Sequence, residues 1–284
     1  MKFHFFKYHG LGNDYLVLDP NCFDWELSPE TIRLFCHRHF GIGSDGILLG
    51  PFLEHGQMRL RIFNPDGSEA EKSGNGVRIF SRYLVDAGYV AGKNFSLNTL
   101  GGQVEVELLA KDGSRSRVDM GAVSFLSSQV PVKGAEQELV GTPWAVQEEN
   151  LVITCLSVGN PHCVILRDEV SKEEACRLGP VIERHERFPQ RINVQFLKVL
   201  DRKNIQIEIW ERGAGYTLAS GSSSCAAAAA AYRLGLVDAA VDVHMPGGIL
   251  AVQQREDGHV LQSGAVSFVG KGCFSEELLR QGKF

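Results

Sequence analysis

Two kinds of apolar periodicity run through the chain. Short apolar or alternating runs lie between Gly, Asn and Asp turn signals at residues 15–18, 59–63, 104–108, 152–157, 205–210 and 249–253, and they predict strands. Spacings of three and four residues predict helices over 28–38, 76–87, 172–178 and 223–234. The second and fourth helices follow Gly/Ser-rich turns and stop beside Gly88 and Gly235, a common way for a helix to end. Strand-rich stretches with so few helices point to an α+β fold rather than a doubly wound parallel sheet.

The same landmarks occur twice. Gly12-Asn13 precedes the apolar run 15–18, and Gly159-Asn160 precedes 161–166, an offset of 147 residues. Arg61-Ile62-Phe63-Asn64 and Glu208-Ile209-Trp210-Glu211 stand at that offset, as do Ser73-Gly74-Asn75-Gly76 and Ser220-Gly221-Ser222-Ser223. The turns Gly101-Gly102 and Gly247-Gly248 differ by 146. Three landmarks at one spacing and a fourth one residue short of it indicate two homologous halves, expected to be related by a pseudo-twofold rotation. Their expected extents are 1–123 and 150–272, with a connector at 124–149 and a tail at 273–284 free to return to the first half.

Composition narrows the function classes. The 284 residues leave room for two domains with their own cores. The 29 basic and 34 acidic residues give a formal net charge of −5 without long like-charge runs, which argues against a nucleic-acid or membrane-surface partner. Seven cysteines without a CxxC pair indicate neither a zinc ribbon nor a disulfide framework, and no metal site is expected. No apolar run approaches the ~20 residues of a membrane span. The N-terminal residues show no secretory apolar core, so a cytoplasmic protein with reduced thiols is expected. The 31 glycines exceed ordinary usage and call for tight turns or close backbone approaches.

None of the glycine clusters is a dinucleotide fingerprint. The GxGxxG spacing is broken by Tyr15 after Gly10-Leu11-Gly12, by Ile79 after Gly74-Asn75-Gly76 and by Leu218 after Gly213-Ala214-Gly215. What remains is one Ser-Gly turn at the start of a helix in each half. First-turn amides and the helix dipole suit a small anion such as a carboxylate. Serine is equally a preferred N-cap, so either turn taken alone reads as capping. Two such turns in related halves fit a ligand gripped from both sides. Asn13, Asn64, Asn160 and Asn193 supply neutral donors and acceptors for ammonium and carboxylate groups, although each is also an ordinary turn residue.

In order along essentially the whole chain, five segments resemble the diaminopimelate epimerase family: His9-Gly10-Leu11-Gly12-Asn13-Asp14, Arg61-Ile62-Phe63-Asn64-Pro65-Asp66-Gly67-Ser68, Ser73-Gly74-Asn75-Gly76, Gly159-Asn160-Pro161-His162 and Trp210-Glu211-Arg212-Gly213-Ala214-Gly215. The resemblance implies two similar α+β domains, each a mixed sheet wrapped around a central helix, with the active site between them. It implies interconversion of LL- and meso-diaminopimelate by taking the α-proton from one face and returning one to the other. It implies no cofactor, neither pyridoxal phosphate nor metal, a small zwitterionic amino acid as partner, and a homodimer. The family's two proton carriers are cysteines at helix N-termini, and here both positions are serine, Ser73 and Ser220. His162 and Glu211 match the residues thought to tune the thiols and join the serines in the implied catalytic set. Gly74, Asn75, Gly221 and Ser222 are implied to hold the α-carboxylate through their amides, with Asn13, Asn64, Asn160, Asn193, Glu211 and Arg212 reading the other polar groups. Cys225, farther along the helix that follows Ser220, reads as packing. Tyr216 stands where the family usually has glutamate, and Gly46 where some members have a polar residue.

The serines matter because a thiol starts near pKa 8.5 and falls further at a helix N-terminus, whereas a serine hydroxyl is a far weaker acid that needs an activating neighbour. The expected function is therefore an amino-acid epimerase with serines in both proton-transfer positions. Two alternatives stand beside it: a non-catalytic or differently specific amino-acid-binding homologue, and a related isomerase on another substrate. For two groups to address opposite faces of one carbon, their oxygens stand roughly 7 Å apart in a closed form, twice a reach of ~3.5 Å.

Overall fold

The computed structural model describes residues 3–22, 27–54, 56–134 and 137–282. The chain divides into two units, residues 1–118 with 264–284, and residues 119–263.

In unit 1 the elements run β1 (His4–Gly10), β2 (Asn13–Leu18), α1 (Pro29–Cys36), β3 (Ile47–Glu54), β4 (Gln57–Phe63), β5 (Glu69–Ala70), α2 (Gly74–Asp86), β6 (Asn94–Thr99), β7 (Gly102–Leu108) and β8 (Arg115–Ala122), the last crossing the unit boundary. Unit 2 holds β9 (Thr142–Val146), β10 (Glu149–Ser157), β11 (Pro161–Leu166), α3 (Lys172–Glu183), β12 (Asn193–Asp201), β13 (Asn204–Glu211), β14 (Gly215–Thr217), α4 (Gly221–Arg233), β15 (Ala240–Met245), β16 (Gly248–Gln254) and most of β17 (His259–Ala265). β18 (Ser267–Cys273) and α5 (Glu276–Gln281) belong to unit 1.

Each unit has a mixed sheet, as the α+β expectation requires. In unit 1, β1–β2, β3–β4 and β6–β7 pair antiparallel, whereas β2–β3 and β4–β6 pair parallel. Unit 2 repeats this with β10–β11, β12–β13 and β15–β16 antiparallel and β11–β12 and β13–β15 parallel. The register repeats as well: Leu16 faces Ile47 as Cys163 faces Val194, and Ile62 faces Ala70 as Ile209 faces Thr217. At the next pairing, Met58 faces Leu97 and Ile205 faces Val243, so the offset has shortened to 146 by the sixth strand.

The two helices that follow the Ser-Gly turns are the centres of their units. From Gly221 to Ala231 every residue of α4 is buried, and most of α2 is likewise. A helix enclosed on all sides has no polar face. This explains the alanine run at 226–231: small side chains let α4 pack against β10, β11, β12, β13, β15 and β16. Cys225 is fully buried within it. α2 packs against β1, β2, β3 and β7.

Three features differ from the sequence expectations. Residues 264–272 go with unit 1 because β18 pairs antiparallel with β1, the place that β9 takes beside β10 in unit 2. Residues 124–149, expected as a connector, lie within unit 2 and contribute β9. α3 continues past Leu178 through Pro180 to Glu183, because Ile182 is wholly buried in the unit 2 core. Gly179 is the reason the helix lies so close to the sheet: a Cβ there would sit 2.5 Å from the Trp210 ring. Among the described residues no helix is long and apolar enough to cross a membrane.

Candidate active site

Ser73 and Ser220 are the N-caps of α2 and α4. Their backbones are extended, with φ/ψ of −138°/117° and −144°/126°, the geometry that lets a cap side chain turn back onto the third amide. Ser73 Oγ accepts from the Gly76 amide at 3.0 Å, and Ser220 Oγ from the Ser223 amide at 3.4 Å. The capping reading is thus realised in both halves. The two helices begin at Gly74 and Gly221, so the glycine turns are their first turns rather than loops before them. First-turn amides lack intrahelical acceptors and carry the positive end of the dipole, which suits a carboxylate.

The turn ahead of each serine is held the same way in both units. Gly101 N donates to Glu71 O at 2.7 Å, and Gly247 N donates to Leu218 O at 2.8 Å. The residue two positions before each cap is therefore pinned by the glycine turn of a neighbouring hairpin. At Gly101 a Cβ would lie 2.8 Å from Glu71 O, so only glycine fits.

Asn13 sits at the head of β2, after a two-residue turn in which Leu11 and Gly12 both have positive φ, 57° and 87°. Such a turn matches the twist of a hairpin and delivers Asn13 to the start of the strand. Asn75 Nδ2 donates to Asn13 Oδ1 at 3.1 Å, and Asn13 Nδ2 donates to Asp45 Oδ2 at 2.9 Å. Asp45 in turn shares Arg38 with Asp14, which also pairs with Lys7 at 2.9 Å. Burial works against ionised Asp14, but hydrogen bonds from Arg38 and Lys7 hold its pKa below the usual range. Asp45 moves upward through burial and the charge of Asp14.

Unit 2 repeats the clasp. Asn160 Nδ2 donates to Ser222 Oγ at 3.5 Å, the counterpart of the Asn75–Asn13 bond. His162 is fully buried, with Nε2 2.9 Å from Asn160 Oδ1 and Nδ1 3.3 Å from Gln195 Oε1. Gln195 Nε2 donates to Ser223 Oγ at 3.0 Å. Burial, with a contribution from the Arg212 charge, lowers the His162 pKa to about 3 against the pull of the Gln195 hydrogen bond. The ring is therefore neutral and weakly basic, and it orients Asn160. Among the described residues, Ser220 Oγ bonds to the Ser223 amide rather than to His162.

The other expected residues are distributed as follows. Asn193 is buried; its Oδ1 accepts from the Arg212 amide and its Nδ2 donates to Pro161 O, both at 2.9 Å, so it fixes the Glu211-Arg212 turn. Glu211 ends β13, and Arg212 Nη1 reaches Gln190 O at 3.3 Å. Asn64 lies in the turn between β4 and β5 and donates to Ser68 Oγ at 3.0 Å. Tyr216 is a cross-strand partner: its hydroxyl donates to Glu208 Oε2 at 2.7 Å and Lys172 lies over its ring. Arg61 and Glu69 make the equivalent pairing in unit 1.

Sequence reasoning missed Tyr15, whose Oη lies 3.3 Å from Ser73 Oγ. The repeat pointed to the position, since Tyr15 stands 147 residues before His162, but not to its contact with Ser73. Gln262 was missed as well. It is fully buried, and a Cβ at Gly221 would overlap its carboxamide, so it backs the first turn of α4.

The family model described as diaminopimelate epimerase matches residues 5–126 and 154–269. A protein named diaminopimelate epimerase 2, from a Nostoc species, is 54% identical over 276 residues, covering 96% of each chain. This chain belongs to the diaminopimelate epimerase family. A diaminopimelate epimerase from Moorella thermoacetica is 40% identical, covering 95% of this chain and 99% of that one. Among solved structures, a hydroxyproline epimerase from Agrobacterium vitis has the same fold, with a TM-score of 0.73 at 14% identity over 100% of this chain and 96% of that one. A phenazine biosynthesis protein of the PhzF family from Bacillus anthracis aligns with a TM-score of 0.66 at 14% identity, covering 97% and 99%. As a member of the diaminopimelate epimerase family, the protein is an isomerase of the amino-acid epimerase kind.

Proposed function

We propose that the protein epimerises diaminopimelate without a cofactor, with Ser73 and Ser220 in the two proton-transfer positions. The observation that carries this reading is the doubled architecture: in each unit a serine caps a buried helix, and an asparagine at the head of a neighbouring strand clasps the residue two positions into it. The amides of Gly74, Asn75, Gly221 and Ser222 hold the α-carboxylate and the charge that develops as the proton leaves. Asn13 and Asn160 keep those first turns in place, and Asn193 holds the Glu211-Arg212 turn for the remaining ammonium and carboxylate groups. Asn64 adds a further polar contact. The reading extends to a cytoplasmic homodimer that takes a small zwitterion and uses neither pyridoxal phosphate nor metal. Deuterium uptake at Cα, followed by mass spectrometry with LL- and meso-diaminopimelate in heavy water, tests it. Absence of exchange with either isomer removes the reading.

A second reading is a homologue that binds the amino acid without turning it over. It is favoured by the surroundings of Ser220, whose oxygen meets an amide rather than a base. Calorimetric binding of diaminopimelate without isotope exchange decides for it.

A further inference from the structure

The two capping serines have different surroundings. Each accepts one amide, but Ser73 Oγ has a second partner in Tyr15 Oη at 3.3 Å. Ser73 is half-buried and Ser220 buried. Tyr15 is itself only 7% exposed, and its ring is held by the absence of a side chain at Gly46. A Cβ at Gly46 would lie 2.6 Å from Tyr15 Cε1 and 2.5 Å from Phe63 O. Tyr15 lies two residues beyond Asn13, so both side chains leave the same face of β2. One strand face thus supplies both the Asn75 clasp and the Ser73 neighbour.

We propose that Tyr15 is a positioning and relay residue for Ser73: its phenol donates to Ser73 Oγ and turns the serine's own proton toward the ligand. A hydroxyl has one proton and two acceptor sites. The Gly76 amide fills one site, and a donating phenol fills the other, leaving the Ser73 proton as the group available for transfer. The opposite polarity would commit that proton to Tyr15. A phenol is by its chemistry a stronger acid than an aliphatic hydroxyl, and hence the better donor of the two.

This inference rests on the reading of Ser73 as a proton-transfer position. When Ser73 protonates the carbanion, its O–H bond breaks, the C–H bond forms and the electron pair stays on Ser73 Oγ. The phenol proton then passes to that oxygen, the electron pair stays on Tyr15 as phenolate, and a proton from solvent restores the phenol, balancing the one that the group on the opposite face releases to solvent. Return through the same atoms removes the α-proton. A phenol gives up its proton more readily than an aliphatic hydroxyl, so the relay offsets part of the acidity lost with the thiol.

A thiol placed at position 73 reads the donor directly, without requiring turnover. Alkylation of the Ser73→Cys protein by iodoacetamide is compared with that of Ser73→Cys/Tyr15→Phe from about pH 6 to pH 10, with the peptide containing position 73 followed by mass spectrometry. Phenylalanine keeps the ring packing and removes only the hydroxyl. Loss of a donor to the anion is expected to raise the thiol pKa and slow alkylation at neutral pH about tenfold. Rates equal within about twofold, or faster in the double variant, overturn the proposal. In the serine protein, Tyr15→Phe should slow α-deuterium exchange about tenfold with KM little changed and should move the alkaline limb of the pH profile. The alkylation slowing without any exchange by the unaltered protein would sink the epimerase reading and leave the Tyr15–Ser73 donor standing. Exchange with unaltered alkylation would do the reverse.

Discussion

Tyr15 and His162 occupy equivalent points of the two repeats, 147 residues apart, yet they serve different partners. Tyr15 reaches the oxygen of its unit's capping serine, whereas His162 is locked between Asn160 and Gln195. The same backbone position thus delivers a proton-bearing group to one helix end and a buried, neutral ring to the other.

If the serines replace thiols in an otherwise competent site, Ser73→Cys/Ser220→Cys should raise diaminopimelate epimerase activity by about 10²-fold or more, measured by conversion of the LL isomer. The first-turn amides and dipole remain to lower the new thiol pKa values. Each single change should do much less, since inversion needs an acid opposite the base. The gained activity should vanish on alkylation. A folded double variant that binds diaminopimelate without exchanging its α-proton would count against the site assignment.

The buried His162 makes acid unfolding measurable. Its pKa falls from 6.5 to about 3 on folding, so the unfolded chain binds the extra proton between those values. Stability contributed by the neutral ring is therefore present above pH 6.5 and drains away as pH falls toward 3, at about 1.4 kcal/mol per pH unit within that window. Urea unfolding between about pH 7 and 5 should show this slope, and His162→Gln should flatten it. An unchanged slope would place the acid sensitivity elsewhere.

Gly46→Ala should cost about 1–3 kcal/mol, because the added methyl meets the Tyr15 ring and the Phe63 carbonyl together. Gly270→Ala is the control: nothing lies within 4 Å of a Cβ there, and the change should stay within about 0.5 kcal/mol. Tyr15→Phe should not rescue Gly46→Ala, since the ring rather than the hydroxyl makes the clash. Chemical denaturation of the three variants checks both statements.

Tyr216→Phe should leave α-proton exchange unaltered and reduce stability by about 1–2 kcal/mol, because the 8%-exposed Glu208 loses its donor. A large fall in exchange with normal stability would instead give Tyr216 a place at the substrate.

Much of this arrangement was legible in the chain itself. The offset of 147, the α+β class and the two Ser-Gly helix starts follow from local chemistry, because turn residues, caps and periodicity act over a few neighbouring positions. The serine substitutions were equally plain. Tertiary structure alone decided which side chain meets Ser73, since that depends on the space left open at Gly46 across a parallel strand pair. It decided that α3 runs through Pro180, because burial of Ile182 outweighs a local break signal. It also sent residues 264–272 back to unit 1, where β18 satisfies the outer edge of β1. Hydrogen-bond partners far apart in the chain leave no periodic trace, so these last features became visible only once the strands were paired.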